Sequence, residues 1–230
     1  LCVRLDSLGD VLMCTPALRA IKQSRPGRCV TLLSSHSGAA AAPFIPELDA
    51  VLEYPAPWMK SSARHLAAVD MAFIDTLSAR RFDAVAIFTS YSQSALPAAL
   101  MCYLAGIPLR LAHCRENPYQ MLSDWLPDPE PDTMVKHEVR RQLDLVASIG
   151  CTASTAGLSF AVRDNDMESV RDRLAGAGIN TTRQWILLHP GASAPSRRYP
   201  PDQWASVIRD LATRTGLPMV LTGDEAEQPL

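Results

Sequence analysis

Short apolar runs alternate with longer stretches of helical periodicity along the first two thirds of the chain. The runs are continuously apolar, which is typical of parallel strands that helices cover on both faces. We predict strands at residues 1–5, 29–33, 50–54, 84–88 and 109–112, and helices near 11–24, 62–81, 94–104 and 135–149. This order predicts βα units and one doubly wound, mainly parallel sheet of five strands.

Two segments interrupt this rhythm. Residues 113–133 contain four prolines and several acids, and we interpret them as an irregular surface excursion. Residues 150–159 are rich in small and hydroxyl side chains and begin with Gly150, at the position where glycine commonly ends a helix. The pattern then restarts, with predicted helices near 164–177 and 201–214 and predicted strands at 185–189 and 219–222.

The restart predicts an α/β protein with two Rossmann-like domains, 1–158 and 159–230. Leu1 already lies inside an apolar run, and Leu230 follows a strand-like segment at which an α/β chain should continue into a helix. We therefore expect the sequence to lack part of both ends, with the second domain incomplete.

Charge and cysteine usage exclude several classes of protein. The chain has 22 basic and 24 acidic residues and a pI of about 6.2, so nothing indicates a nucleic-acid-binding surface. Its longest apolar stretches are too short to cross a bilayer.

Six cysteines are scattered without a Cys-x-x-Cys pair, which favours buried free thiols in a reducing, cytoplasmic protein. No histidine cluster or Asp-x-Asp pair predicts a metal site.

The first candidate site follows the first strand, at Ser7-Leu8-Gly9-Asp10. Gly9 permits a tight turn and the close approach of a ligand, while Asp10 lies at the carboxyl edge, where α/β sheets bind ligands. Asp10 could cap a helix or act as a general base. Local chemistry favours both equally, and the two roles are compatible. Thr15-Pro16 leaves open a later helix start, with Thr15 as the cap.

The second candidate site runs from His189 to Pro200 and joins a buried strand to a helix. Ser193 supplies a hydroxyl, and Arg197 and Arg198 supply fixed positive charge. Guanidinium groups and helix N-termini bind phosphate oxygens well, so a diphosphate would suit this loop. Adjacent arginines beside a Gly-Ser turn are also common on solvated surfaces, but the position after a core strand favours a ligand.

Weaker signals lie elsewhere in the chain. The acids around Glu227, after the last strand, could accept hydrogen bonds from ribose hydroxyls or simply favour a helix dipole. Residues 91–94 could meet an acceptor substrate or cap a helix, and Trp58 could stack on a sugar or pack the domain surface. His137 and Arg141 share one helix face, and we interpret both as surface hydrogen-bonding residues.

Two stretches carry a family resemblance. They are Arg-Leu-Asp-Ser-Leu-Gly-Asp-Val-Leu with Thr-Pro-Ala-Leu behind it, in residues 4–18, and Leu-His-Pro-Gly-Ala-Ser with Arg-Arg-Tyr-Pro, in residues 188–200. Leu221-Thr222-Gly223 and Glu227 also fit. In these motifs the chain resembles glycosyltransferase family 9, the bacterial ADP-heptose:lipopolysaccharide heptosyltransferases and their relatives. The resemblance implies a GT-B architecture, with the acceptor bound largely by the first domain and the nucleotide sugar by the second.

The resemblance also implies roles for individual residues in an inverting, metal-independent reaction. Asp10 would be the general base, and Gly9, Ser193, Arg197 and Glu227 would bind the donor. Arg197 stands two residues before Tyr199, where the family usually has Lys two residues before Trp. Either cation can neutralise a departing diphosphate, Arg as a planar fork and Lys as a point charge.

The resulting hypothesis is transfer of a heptose or similar sugar from ADP-heptose to a lipopolysaccharide-type glycan. The implied partners are a nucleotide sugar and a glycan or glycolipid acceptor, with no further cofactor and no nucleic acid. The implied location is the cytoplasm, in contact with the inner membrane through the acceptor. The alternative is a family member that binds a nucleotide or glycan without catalysis. A Rossmann-type epimerase lacks support because the Gly-rich fingerprint is missing.

Overall fold

The computed structural model describes residues 1–60, 65–192 and 194–227, which fall into two compact units, Leu1–Ala161 and Val162–Leu230. The first unit is an α/β sandwich whose strands and helices alternate. Its elements are β1 (Cys2–Arg4), α1 (Leu8–Gln23), β2 (Thr31–Ser34), α2 (His36–Ala39), β3 (Ala50–Glu53), α3 (Ala67–Ala79), β4 (Ala84–Ile87), α4 (Leu96–Leu104), β5 (Leu109–Cys114), β6 (Asp124–Pro127) and α5 (Glu138–Ala147). The predicted start of α3 at 62 lies outside the described residues.

The strands of the first unit form one parallel sheet in the order β3-β2-β1-β4-β5-β6. From β1 the chain winds outward through β2 and β3, and from β4 it winds the other way through β5 and β6. The order therefore reverses between β1 and β4, which is the point where doubly wound sheets bind ligands, beyond the carboxyl ends of the strands.

The sheet has six strands among the described residues, not the predicted five. Strand β6 lies inside residues 113–133, for which the sequence predicts irregular structure, and it pairs in parallel with β5. The sequence does not predict this strand because the segment, Asp-Trp-Leu-Pro, is short, mostly exposed and ends in proline. A proline is tolerated there because an edge strand pairs on one side only.

Helices cover both faces of the sheet. One apolar core contains Leu77 of α3 and Cys102 of α4, and the other contains Leu18 of α1 and Leu145 of α5. Burial on both faces accounts for the continuously apolar strands. Helix α5 ends as predicted before Gly150, whose φ of 78° lies in the left-handed region that glycine adopts without strain.

The segment after α5 is attached to the first unit. The Ser159 N–H donates to Thr15 Oγ1 of α1 at 2.9 Å, and the Ala161 N–H donates to the Phe44 carbonyl at 2.7 Å. The rings of Phe44 and Phe160 stack with centroids 4.9 Å apart. These contacts explain why the division falls after Ala161, three residues beyond the predicted boundary.

The second unit begins a new βα pattern. Its elements are α6 (Asp164–Gly176), β7 (Ile186–Leu188), α7 (Pro201–Thr215) and β8 (Met219–Leu221), and the two strands pair in parallel. Two 3-10 turns, Pro195–Arg197 and Glu225–Glu227, follow β7 and β8. The loops that leave the two strands therefore lie side by side.

Candidate functional site

Asp10 lies in the first turn of α1, immediately beyond the carboxyl end of the central strand β1. The helix begins at Leu8 with Ser7 as its N-cap. Asp10 Oδ2 accepts the Ser7 N–H at 3.1 Å and the Ser7 hydroxyl at 2.6 Å. One carboxylate oxygen therefore caps the helix, as one of the two predicted roles requires. The other oxygen, Oδ1, faces Arg4, and the side chain remains 31% exposed.

The alternative helix start at Thr15 is wrong, because Pro16 lies inside α1. Proline has no N–H for the carbonyl of residue 12. Thr15 Oγ1 donates to the Leu12 carbonyl at 2.7 Å and satisfies it instead. The helix thus continues through Pro16, and Gly9 lies in its first turn. A Cβ on Gly9 would meet only Ser7 Oγ, at 3.9 Å, so the packing of the described residues does not require glycine there.

Arg4 holds the carboxylates of this edge together. Its side chain is 1% exposed and contacts Asp6 at 2.7 Å, Glu138 at 2.6 Å and Asp10 at 3.3 Å. Burial by itself would lower the pKa of Arg4, but the surrounding acidic groups, Cys14, Asp6, Glu138 and Asp10, outweigh it and raise that pKa. Arg4 therefore stays charged and gives its longest contact to Asp10.

The carboxylates of Asp6 and Glu138 have further hydrogen-bond partners besides Arg4. Glu138 Oε1 also accepts from Gln142 Nε2 at 2.7 Å, and Asp6 Oδ1 accepts from Gln93 Nε2. Burial raises the pKa of the Asp6 carboxyl, against the opposing effects of Arg4 and Gln93. The cluster thus joins β1, α1, α5 and the loop after β4 at the point where the strand order reverses.

Arg141 is a buried structural residue, and the prediction of a surface role for it is wrong. Its side chain is 1% exposed, contacts Asp128 at 2.8 Å and Glu130 at 2.5 Å, and donates from Nε to the Thr89 carbonyl at 2.9 Å. A helix-face pattern cannot reveal acids that arrive from the segment 128–130. His137, its predicted neighbour on that face, is the N-cap of α5 and accepts the Val139 N–H.

In the second unit, the loops after β7 and β8 are in direct contact. His189 Nδ1 lies 3.0 Å from the Thr222 carbonyl. Glu227 accepts the Asp224 N–H at 3.1 Å through Oε2, and its carboxylate lies against Gly191. A Cβ built on Gly191 would stand 1.9 Å from Glu227 Oε1, so only glycine leaves room for this carboxylate. The second and third candidate sites therefore form one edge of the second unit.

The predicted phosphate-binding residues are placed only in part. Arg197 ends the 3-10 turn Pro195–Arg197 and is exposed. Arg198 Nε donates to the Ala192 carbonyl at 2.7 Å and so links two parts of the loop after β7. Ser193 lies outside the described residues.

Residues 71–229 match the model of glycosyltransferase family 9 (heptosyltransferase). The chain belongs to this family. The matched range contains strands β4, β5 and β6 and nearly all of the second unit. Arg4, Asp6 and Asp10 lie before it.

Individual relatives are distant and longer than this chain. A putative glycosyltransferase of Haemophilus influenzae is 23% identical, over 99% of this chain and 64% of that protein. A family 9 glycosyl transferase from Veillonella parvula has a similar fold, with a TM-score of 0.75 and 16% identity, over 99% of this chain and 63% of the other. The fold is also similar to that of E. coli ADP-heptose LPS heptosyltransferase II, with a TM-score of 0.71 and 18% identity, over 99% of this chain and 65% of the other.

These likenesses confirm the predicted fold class, an α/β protein of the GT-B heptosyltransferase type. The chain spans just under two thirds of the length of the relatives named above. Within the described ranges, no helix is long and apolar enough to cross a membrane. The same ranges contain no group of three or more His, Cys, Asp or Glu side chains placed to hold a metal ion.

The sequence did not reveal the roles of Arg4, Asp6 and Glu138 in this family 9 chain. A signal for Arg4 was present, because an arginine inside the apolar run Leu-Cys-Val-Arg-Leu needs carboxylate partners when the strand is buried. No local signal assigned Glu138 to it, since 134 residues separate the pair.

Proposed function

We propose that this chain supplies the acceptor side and the start of the donor side of an inverting glycosyltransferase. The proposed reaction moves a heptose or similar sugar from ADP-heptose to a lipopolysaccharide-type glycan. The observation that carries the proposal is the placement of Asp10. Its carboxylate stands beyond the carboxyl end of the central strand, fixed by Ser7 and Arg4 and still 31% exposed. A general base must be held in place and remain within reach of its substrate.

In the proposed step, Asp10 takes the proton of an acceptor hydroxyl while the hydroxyl oxygen attacks the anomeric carbon of the donor. The bond from that carbon to the diphosphate breaks, and its electron pair leaves with the diphosphate. Positive charge spreads over the sugar ring in the transition state and negative charge builds on the leaving group. Asp10 then loses its proton to solvent.

The donor-side roles are also proposals. Arg197 would neutralise the departing diphosphate, since a guanidinium binds phosphate oxygens through paired hydrogen bonds. Gly9 would bring the unpaired N–H groups of the first turn of α1 to a phosphate, and Ser193 would add a hydroxyl. Glu227 uses Oε2 within its own loop, which leaves Oε1 to accept from a nucleoside hydroxyl.

We propose a glycan or glycolipid acceptor on the cytoplasmic face of the inner membrane. The name of the E. coli relative, an ADP-heptose LPS heptosyltransferase, supports both the donor and the acceptor class. Five buried free thiols, Cys2, Cys14, Cys102, Cys114 and Cys151, fit a reducing compartment.

The test compares Asp10→Asn with Asp10→Ala. The Asn side-chain oxygen can still accept the Ser7 N–H, so Asp10→Asn keeps the helix cap and loses the base together with the ion pair to Arg4. We expect sugar transfer from ADP-heptose to fall about 10²- to 10⁴-fold in both variants, which is the usual contribution of a general base. The Ala variant should lose about 0.5–2 kcal/mol more stability than the Asn variant, because it also loses the helix cap.

The assay uses this chain and any longer product of its reading frame, with ADP binding measured by calorimetry on the same samples. Arg197→Ala should weaken ADP binding, because it removes the cation proposed to meet the diphosphate. Arg209→Ala, at an exposed position on α7, is its control. Full transfer by Asp10→Asn would remove Asp10 as the base. Tight ADP binding without transfer in any product would favour the alternative, a nucleotide-binding protein without catalysis.

A further inference from the structure

A cavity of about 270 Å³ opens beside the Arg4 cluster, between the carboxyl ends of β1 and β4. Its lining combines apolar side chains, among them Trp58, Met59 and Pro97, with polar ones, among them Asp6, Thr89 and Gln93. Its volume is just below the range of about 300–1,000 Å³ for clefts that bury drug-sized ligands, so it suits a single ring.

Thr89 is an unsatisfied polar residue of the cavity lining. It lines this cavity, is 8% exposed, and its Oγ1 has no hydrogen-bond partner among the described residues. Its carbonyl, by contrast, accepts from Arg141 and Gln142. Buried hydroxyls nearly always have a partner, so Thr89 adds an unsatisfied polar group next to the cavity, although its oxygen lies below the accessible surface.

Trp58 is held in a fixed aromatic group. Its ring lies 5.8 Å from that of Tyr54, which stacks on Phe73 at 4.3 Å. The Tyr54 hydroxyl donates to Asp70 at 2.6 Å, which ties this group to α3. Trp58 itself is half-buried. It therefore presents a pre-ordered apolar surface to the cavity.

We propose that this cavity binds an uncharged sugar ring of the acceptor, with Trp58 as the surface on which the ring stacks. The proposal rests on the proposed function and names the substrate class for the acceptor side. A mainly apolar lining with an aromatic ring and a few polar groups is the usual form of a small-ligand site. The C–H face of a sugar would pack on the Trp58 ring, and its hydroxyls would meet the polar side chains of the lining.

The charges of the site favour an uncharged ring over an acidic one. None of the residues described as lining the cavity is Lys, Arg or His, whereas Asp6 contributes a carboxylate. The charge of Arg4 is already shared among three acids. Lys60 follows Met59 in sequence but is exposed and does not line the cavity. Among the described residues, a sugar acid would thus meet a like charge at Asp6 and no cation in the cavity lining to compensate it.

The experiment is saturation-transfer difference NMR on the whole chain, with methyl glucoside as the uncharged probe and glucuronate as the acidic one. Trp58→Leu removes the stacking surface, and Trp125→Leu, on the edge strand β6, is the matched tryptophan control. We expect methyl glucoside to bind, Trp58→Leu to weaken it about tenfold, equivalent to about 1.4 kcal/mol, and Trp125→Leu to leave it unchanged.

Gln93→Ala is a second variant, for the case that Trp58→Leu does not fold, and it should also weaken binding. The proposal is overturned if methyl glucoside does not bind, if glucuronate binds as well or better, or if both cavity variants bind like the Trp125 control. Calorimetric titration with ADP on the same samples separates the two proposals. Sugar binding without ADP binding would count against the proposed function and leave this site standing.

Discussion

Arg4 and Glu138 form an ion pair of 2.6 Å at the centre of the carboxyl edge, although 134 residues separate them in sequence. The pair links β1, which leads into Asp10, to the first turn of α5. Because α5 packs against α1 in one of the two cores, the pair fixes the helix that carries Asp10 from two sides. The position of the proposed base thus depends on a long-range contact.

Replacing Arg4 by Met should destabilise the protein strongly. The substitution removes a buried cation and leaves the carboxylates of Asp6, Asp10 and Glu138 without it. Removing one partner of a buried ion pair typically costs about 3–5 kcal/mol. Glu138→Gln should cost only about 1 kcal/mol, because the amide oxygen still accepts from Arg4. Urea unfolding followed by circular dichroism measures both values.

Arg140→Ala is the control for this comparison. Arg140 is 72% exposed and pairs with Asp144 on the same helix, so its loss should change the free energy of unfolding by less than about 0.5 kcal/mol. If Arg4→Met were as stable as Arg140→Ala, Arg4 would not hold the edge together.

Thiol alkylation should separate Cys29 from the buried cysteines. Burial raises the pKa of Cys2 to about 11 and those of Cys14 and Cys102 to about 12, so these thiols carry almost no thiolate at pH 8. Cys29 is exposed. Since the thiolate is the nucleophile, iodoacetamide should modify Cys29 first in the native protein.

Mass spectrometry of the native and urea-unfolded protein measures the order of modification. Unfolding should make all six cysteines reactive, which controls for the reagent. Modification of native Cys14 as fast as Cys29 would mean that the α1 core opens readily.

The regular part of the first unit could be predicted from the sequence because its strands are apolar and its helices end at recognisable residues. All five predicted strands are present, with boundaries within two residues of those observed. Strand β6 could not be predicted in the same way, since an exposed edge strand with a terminal proline has no apolar run. Its pairing with β5 depends on the tertiary structure, which local sequence patterns do not contain.

The candidate site was predictable as a set of loops but not as a set of contacts. Asp10 could be singled out because a carboxylate after a buried strand has few explanations. Its helix cap follows from Ser7 three residues earlier. The Arg4 contacts and the buried position of Arg141 depend on residues brought together by the sheet order, which local patterns do not contain.

Acid should remove the stabilising effect of Asp128. Burial by itself would raise the pKa of Asp128, but its hydrogen bonds to Arg141 outweigh burial and hold that pKa below its usual value. The unfolded chain therefore takes up a proton at higher pH than the folded one. Asp128 stabilises the fold above its unfolded pKa of about 3.9, and this contribution is lost as the pH falls through the folded value.

Asp128→Asn should therefore cost about 3 kcal/mol at pH 7, and its difference from the parent protein should shrink below about pH 4. Urea unfolding at a series of pH values measures this difference. Asp210→Asn, at an exposed pair with Arg214, should show little change at any pH. A constant difference between Asp128→Asn and the parent from pH 7 to pH 3 would contradict an ionised Asp128–Arg141 pair.

Gly191→Ala should disturb the proposed donor site through Glu227. The added Cβ would stand 1.9 Å from Glu227 Oε1, so the carboxylate must move away from the loop after β7. If Glu227 accepts from the nucleoside, ADP binding should weaken about tenfold, equivalent to about 1.4 kcal/mol, as measured by calorimetric titration. Gly176→Ala is the matched control in the same unit, because a Cβ there meets no atom within 4 Å. Unchanged ADP binding by Gly191→Ala, with Glu227 displaced, would exclude Glu227 from nucleoside recognition.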